Sequence, residues 1–119
     1  MSFTQETIER VWQKAQYVDP QNEQNGFRKD QCGAWIQRLQ YGNRSSRYGW
    51  EVDHIVPASH GGADSISNLR PLHWENNAAR GNDGLSCVIT ANGTLVRVAR
   101  RRIDTGPRFS PVFRDFECW

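Results

Sequence analysis

Residues 51–81 read EVDHIVPASHGGADSISNLRPLHWENNAARG, and this segment predicts a strand, a polar loop and a helix in succession. It begins inside an alternating, strand-like segment over residues 49–55 that places a carboxylate beside an imidazole, Asp53 and His54. Neighbouring side chains in a regular strand point to opposite faces, so both groups can serve one site only if the strand ends or distorts there. Pro57 favours such an end. Taken alone, the pair is either a hydrogen-bonded strand end or the two reactive groups of an active site.

The flanking sequence predicts a single domain over residues 1–119, with helices and strands in one α+β unit. Apolar residues at helical spacing predict a helix over residues 3–16. Residues 32–40 predict a strand that pairs with residues 49–55 as an antiparallel hairpin. The remaining predictions are a polar loop over residues 19–26, a longer loop over residues 57–68, a helix over residues 72–80, and a C-terminal hairpin and tail over residues 85–119.

The formal charge of +2 is too small to indicate a nucleic-acid-binding protein, but its distribution is uneven. Six of the 13 arginines lie in the last 23 residues, among them Arg97, Arg100, Arg101 and Arg102. Arginine suits bidentate contacts with phosphate. The run is therefore either a phosphate-binding surface or the solvated end of a strand.

The three cysteines, Cys32, Cys87 and Cys118, are an odd number without CxxC spacing. This pattern argues against a disulfide scaffold and against a self-sufficient zinc site. The sequence also lacks an apolar run of transmembrane length and a signal-peptide-like start. We therefore expect a cytoplasmic protein without a membrane partner.

Hydrolysis of a phosphodiester bond needs a general base and a cation that neutralises charge on the phosphate. Histidine titrates in the range that a base requires, and a hard cation such as Mg²⁺ prefers a few oxygen ligands. Asp53 and His54 supply one oxygen ligand and one base. A second metal ligand is then expected from the helix that follows.

Four features stand at the intervals of a known motif: Asp53-His54, Gly61-Gly62, Asn68-Leu69 and Asn77. With them, residues 30–83 resemble the HNH endonuclease superfamily, whose core is the ββα-metal fold. The resemblance implies that His54 is the base that activates water. It implies that Asp53 and Asn77 hold one divalent cation, and that Asn68 ties the loop to the site and orients the base.

By the same resemblance, Arg80 stands where many members carry a basic residue that can contact phosphate. The implied cofactor is one Mg²⁺ ion, with Mn²⁺ or another divalent ion as the alternative. The implied substrate is DNA, expected to be double-stranded, and nothing in the sequence indicates a homodimer.

Two departures from the family pattern are visible. Asn77 replaces the final histidine, which makes the chain an HNN variant. Many relatives also carry a zinc knuckle with two CxxC pairs, whereas here only Cys32 and His73 could bind a soft metal at those positions. Because two ligands do not make a structural zinc site, no structural zinc is expected. We expect packing by Trp35, Trp50 and Trp74, with hydrogen bonds, to replace it.

Two further histidines allow two interpretations each. His73 lies one helical turn before Asn77, so it is either an accessory metal or phosphate contact or a scaffold residue at the former zinc position. His60 is either an exposed loop residue or a contact to DNA.

The sequence thus predicts a metal-dependent DNA endonuclease. The alternatives are a non-catalytic nucleic-acid-binding module with the same fold, and an interaction module whose arginines bind a protein.

Overall fold

The computed structural model describes residues 3–81, 84–91, 93 and 94. Three helices lie in these ranges: α1 (Gln5–Trp12), α2 (Pro20–Gln24) and α3 (Trp74–Ala79). The strands form three antiparallel pairs: β1 (Phe27–Lys29) with β2 (Trp35–Gln37), β3 (Trp50–His54) with β4 (Leu69–His73), and β5 (Ile89–Thr90) with β6 (Gly93–Thr94). This mixture of helices and small antiparallel sheets is an α+β architecture.

The strand pairing differs from the prediction. The segment over residues 32–40 does not pair with residues 49–55 as a hairpin; its strand, β2, pairs with β1 instead. The partner of β3 is β4, which places Asp53 opposite Arg70. The order around the site is therefore strand, long loop, strand and helix.

The helix predictions need three corrections. Helix α1 is shorter than the predicted residues 3–16 at both ends: Thr4 caps its N-terminus by accepting from the backbone N–H of Thr7 at 3.1 Å, and the helix ends at Trp12, with Gln13 as its C-cap. Part of the predicted loop over residues 19–26 is helix α2, which Asp19 caps in the same way. Helix α3 starts at Trp74 rather than residue 72, since the preceding residues belong to β4.

The core lies between α1 and the β3–β4 sheet. Val11 and Trp12 on α1 pack with Trp50 on β3 and Leu69 on β4, and all four are almost completely buried. The indole rings of Trp12 and Trp50 lie with their centroids 5.2 Å apart. This apolar contact fixes the sheet against the helix and so holds the end of β3 in place.

A buried carboxylate joins three chain segments beside this core. Asp30, 2% exposed, accepts from the backbone N–H groups of Cys32 and Ala34 at 2.9 Å each. Its other oxygen accepts from the N–H of His73 at 2.9 Å and from Nδ2 of Asn76 at 3.1 Å. Asp30 thus satisfies four donors, three of them buried.

Asn76 extends this junction to the last described strands. Its Oδ1 accepts from the backbone N–H groups of Val88 and Ile89, at 2.8 and 2.7 Å, and its Nδ2 donates to the carbonyl oxygen of Ile89 at 3.0 Å. We call Asp30 and Asn76, with their hydrogen bonds, the Asp30–Asn76 junction. It connects the turn after β1, the start of α3 and the entry to β5.

The expectation from the cysteine pattern is wrong, because a disulfide joins Cys32 to Cys87. The bond joins the turn after β1 to the entry to β5, which are two of the three segments that the Asp30–Asn76 junction connects. Of the two segments at which the resemblance places zinc ligands, the one at Cys32 is bonded by the disulfide to Cys87, and the one at His73 is joined to the first by the hydrogen bonds of Asp30. Of the three tryptophans expected to take over this role, Trp50 belongs to the core, while Trp35 and Trp74 stay partly exposed.

The predicted C-terminal hairpin is confirmed in its described part, where Ile89 pairs with Thr94 and Thr90 with Gly93. The tail beyond residue 94 lies outside the described residues.

Candidate active site

An open cleft of about 460 Å³ lies where β3 ends against α3. Asp53 and His54 from β3 line it together with Asn77 and Arg80 from the helix and its C-cap. Both neighbours line this cleft at the end of β3, although each is still paired across the sheet, Asp53 with Arg70 and His54 with Leu69. The structure thus brings together Asp53, His54, Asn77 and Arg80, which the sequence singled out over a span of 28 residues.

His54 is held through one ring nitrogen. Its Nε2 lies 2.6 Å from Oδ1 of Asp64, a half-exposed residue of the loop between β3 and β4. The ring also packs against Phe3, at a centroid separation of 6.0 Å. Among the described residues, none makes a hydrogen bond to Nδ1 of His54. This nitrogen is therefore the one that can accept a proton from a water molecule, provided that Nε2 carries the ring proton and donates it to Asp64.

Asp53 is buried between two guanidinium groups. Nε of Arg70, its cross-strand neighbour, donates to Oδ2 at 2.8 Å, and Nη1 of Arg80 donates to both carboxylate oxygens at 2.8 Å. Arg80 also donates to the carbonyl oxygen of His54. A carboxylate offers about four acceptor positions, and these three hydrogen bonds leave one of them on Oδ1.

Arg80 is turned inward, with its side chain 7% exposed. Its Nη2 is buried and has no hydrogen-bond partner among the described residues. Burying an unsatisfied donor on a charged group is costly, so this nitrogen needs a partner that the described residues do not supply.

Asn77 is oriented by a carboxylate on the neighbouring strand. Its Nδ2 donates to Oε1 of Glu51 at 2.7 Å. Arg44 donates to both oxygens of Glu51, from Nε at 2.6 Å and from Nη2 at 2.8 Å. The hydrogen-bonded guanidinium of Arg44, with a smaller contribution from Asn77, holds the pKa of the Glu51 carboxyl below its usual value against the opposing effect of burial. Glu51 is therefore an acceptor at neutral pH.

Asn68 closes the loop between the two strands of the site. Its Oδ1 accepts from the backbone N–H of Val56 at 2.8 Å, and its Nδ2 donates to the carbonyl oxygens of Val56 and Ala63, at 3.1 and 2.8 Å. At Gly62 an added Cβ would lie 1.7 Å from the carbonyl oxygen of Val56, so the loop can close this tightly only with glycine there. Asn68 does not line the cleft.

The other two histidines lie away from the cleft. His73 is 1% exposed, its Nε2 lies 2.7 Å from the carbonyl oxygen of Arg47, and its Nδ1 accepts from the N–H of Glu75 at 3.0 Å. Both nitrogens are thus engaged by the backbone, an arrangement that fits a scaffold residue. His60 is exposed, in a 3₁₀ turn of the loop.

Several expectations from the sequence concern parts that are not described. Arg97, Arg100, Arg101 and Arg102 lie outside the described residues.

Within residues 3–81 and 84–91, no three His, Cys, Asp or Glu side chains form a group that could hold a metal ion. No helix in the described part of the chain is long and apolar enough to cross a bilayer.

Sequence reasoning missed three side chains that contact the site: Glu51, Asp64 and Arg70. Glu51 had a usable signal, since it precedes Asp53 by two positions and so lies on the same face of the strand. Arg70 could be found only from the correct pairing of β3 with β4. Asp64 lies in an irregular loop where no spacing rule applies.

A family model described as HNH endonuclease matches residues 40–83. No curated protein and no solved structure matches the chain. The matched residues include β3, β4 and α3, and with them Asp53, His54 and Asn77. An HNH domain implies a nuclease-type function that acts on nucleic acid. Over residues 40–83, the chain is therefore similar to the HNH endonuclease family.

Proposed function

We propose that the protein is a metal-dependent DNA endonuclease whose β3, β4 and α3 form a ββα-metal core. The observation that carries this proposal is the shared cleft, in which a histidine whose Nδ1 has no partner among the described residues lies beside an aspartate and an asparagine. A base and two oxygen donors are the groups that hydrolysis of a phosphodiester bond needs.

In this proposal, His54 takes the proton from the attacking water at Nδ1. Asp64 holds Nε2 and so fixes both the ring orientation and the tautomer, as a carboxylate does for a catalytic histidine elsewhere. Asn68 keeps the loop that carries Asp64 closed on the end of β3.

HNH nucleases generally use a divalent metal ion, and the oxygen donors of this cleft fit one. Asp53 and Asn77 would hold it, through the remaining position on Oδ1 of Asp53 and through Oδ1 of Asn77, which accepts no hydrogen bond from the described residues. A hard ion such as Mg²⁺ takes few protein ligands and keeps several waters, so two donors are enough. The bound ion would neutralise charge on the phosphate and on the leaving oxygen.

Arg80, which lines the cleft, would contact the phosphate. We propose double-stranded DNA as the substrate, with Arg97 and Arg100–Arg102 as further phosphate contacts. Such contacts position the duplex and carry no sequence information. A single site predicts nicking of one strand, because cutting both strands needs a second site. We propose the cytoplasm as the compartment, where the Cys32–Cys87 bond would be exposed to reducing thiols.

We expect supercoiled plasmid DNA to be converted to the nicked form in Mg²⁺ or Mn²⁺ and to stay supercoiled in EDTA. The reason is that only the metal ion supplies the charge needed to stabilise the leaving oxygen. Gel electrophoresis of the plasmid measures the conversion. Retarded but uncut DNA in every metal would instead support the non-catalytic binding module, and neither binding nor cleavage would favour the interaction module.

Asp64→Ala is expected to lower kcat for cleavage about 10-fold and to leave KM unchanged, because the base loses its orienting partner while the phosphate contacts remain. Steady-state cleavage of a short labelled duplex measures both constants. Ser65→Ala is the matched control, since Ser65 lies in the same loop but contacts Ser67 rather than His54. Equal kcat in the two variants would contradict the role of Asp64.

A further inference from the structure

The side chain of Asn77 can present either of two chemically different ends to the cleft. Its amide group is nearly symmetric in shape, but only the carbonyl oxygen Oδ1 can bind a hard cation, whereas Nδ2 carries two hydrogens. A metal site that uses an asparagine therefore needs something to fix which end faces the metal. Helix α3 positions the residue but does not choose between the two ends of its side chain.

Glu51 determines which end of the Asn77 amide faces the cleft. It lies two residues before Asp53 on β3, and its Oε1 is 2.7 Å from Nδ2 of Asn77. Because a carboxylate only accepts hydrogen bonds, a flipped amide would place two oxygens against each other at this distance. Two hydrogen bonds from Arg44 hold Glu51 in place. The flipped amide is thus disfavoured, and Oδ1 is left for the cleft.

We propose that Glu51 is a positioning residue that fixes the Asn77 amide with its oxygen toward the metal ion. The proposal rests on the function proposed above. Glu51 itself does not line the cleft, so it acts through Asn77 and not as a ligand. Partners of this kind, which orient a ligand, change metal affinity about 10–100-fold when they are removed.

Glu51→Met keeps the length of the side chain and removes both acceptors. We expect it to weaken Mn²⁺ binding about 10-fold, measured without DNA by calorimetry or by the electron paramagnetic resonance signal of free Mn²⁺. Glu51→Gln removes the charge but keeps one acceptor for Nδ2 of Asn77, so we expect binding within about threefold of the wild type. If Glu51 acted only through its charge, both variants would lose affinity equally, and the proposal would be wrong.

Asn77→Asp supplies an independent check, because a carboxylate has oxygen at both ends and needs no choice between them. In the N77D background, Glu51 faces a second carboxylate and only repels it, so E51M should cause no loss of Mn²⁺ affinity there and should relieve this repulsion, whereas in the wild-type background E51M should lower the affinity. A loss of the same size in both backgrounds would overturn the positioning role.

Glu23→Met is the matched control for losing an ion pair. Glu23 is paired with Arg28 by two hydrogen bonds of 2.8 and 2.9 Å and lies outside the cleft, so E23M should leave Mn²⁺ affinity unchanged. Thermal unfolding of each variant checks that it is folded. If the wild type binds no Mn²⁺ and cuts no DNA, the proposed function and this inference both fail. If it does both and E51M binds Mn²⁺ as tightly, only the inference fails.

Discussion

His54→Ala is expected to lower the rate of DNA cleavage by about 10²–10⁴-fold, the usual contribution of a general base. The variant removes the one imidazole that lines the cleft, while Asp53 and Asn77 keep their oxygen donors. Metal binding and DNA binding should therefore persist, and the loss should fall on kcat. Single-turnover cleavage of a labelled duplex at saturating protein measures this constant directly.

His60→Ala is the matched control, because His60 is an exposed histidine of the adjoining loop and does not line the cleft. Imidazole added to the solution sharpens the comparison. It should restore part of the cleavage rate of H54A, since the cavity left by the side chain can admit the free base, but it should not help Asn77→Ala. Cleavage by H54A at the wild-type rate would show that His54 is not the base.

Asp30→Ala is expected to destabilise the protein by about 3–5 kcal/mol, because four donors, three of them buried, lose their acceptor together. This is a large part of the stability of a small domain, which is about 5–15 kcal/mol in total. Urea unfolding, followed by tryptophan fluorescence, measures the change. The core residues Trp12 and Trp50 make the signal sensitive to loss of the main packing.

The control for this second prediction is Asp19→Ala. Asp19 also accepts from a backbone N–H, that of Asn22 at 2.8 Å, but it does so at the end of a short surface helix. Its removal should therefore cost clearly less than that of Asp30. If the two variants lose the same stability, the Asp30–Asn76 junction stabilises the fold no more than a helix cap at the surface does.

The spacing of polar residues predicted the centre of the site better than local patterns predicted the strands around it. Asp53, His54 and Asn77 meet as expected, because their intervals reflect a fixed geometry of strand, loop and helix. Strand β4 went unrecognised because Pro71 lies in its middle, and proline usually argues against a strand. It is tolerated here in a sheet of only two strands.

The Asp30–Asn76 junction could not be read from the sequence for a different reason. Its hydrogen bonds connect residues that are 43 and 46 positions apart, and no periodicity links an aspartate in one turn to a helix start so far away. The disulfide was missed because an odd number of cysteines suggests free thiols. The roles of Asp64 and Glu51 at the site likewise depend on their contacts with His54 and Asn77, and these contacts form only in the folded chain.

The bond between Cys32 and Cys87, 55 residues apart, closes the chain into a covalent ring. Strands β2, β3 and β4 and helix α3 all lie within this ring, together with every residue of the cleft. A protease that cuts the loop between β3 and β4 would therefore leave one covalent molecule whose two pieces separate only on reduction. Trimming from either end would stop short of the site. Residues 32–87 thus form a covalently closed loop that carries every residue lining the cleft.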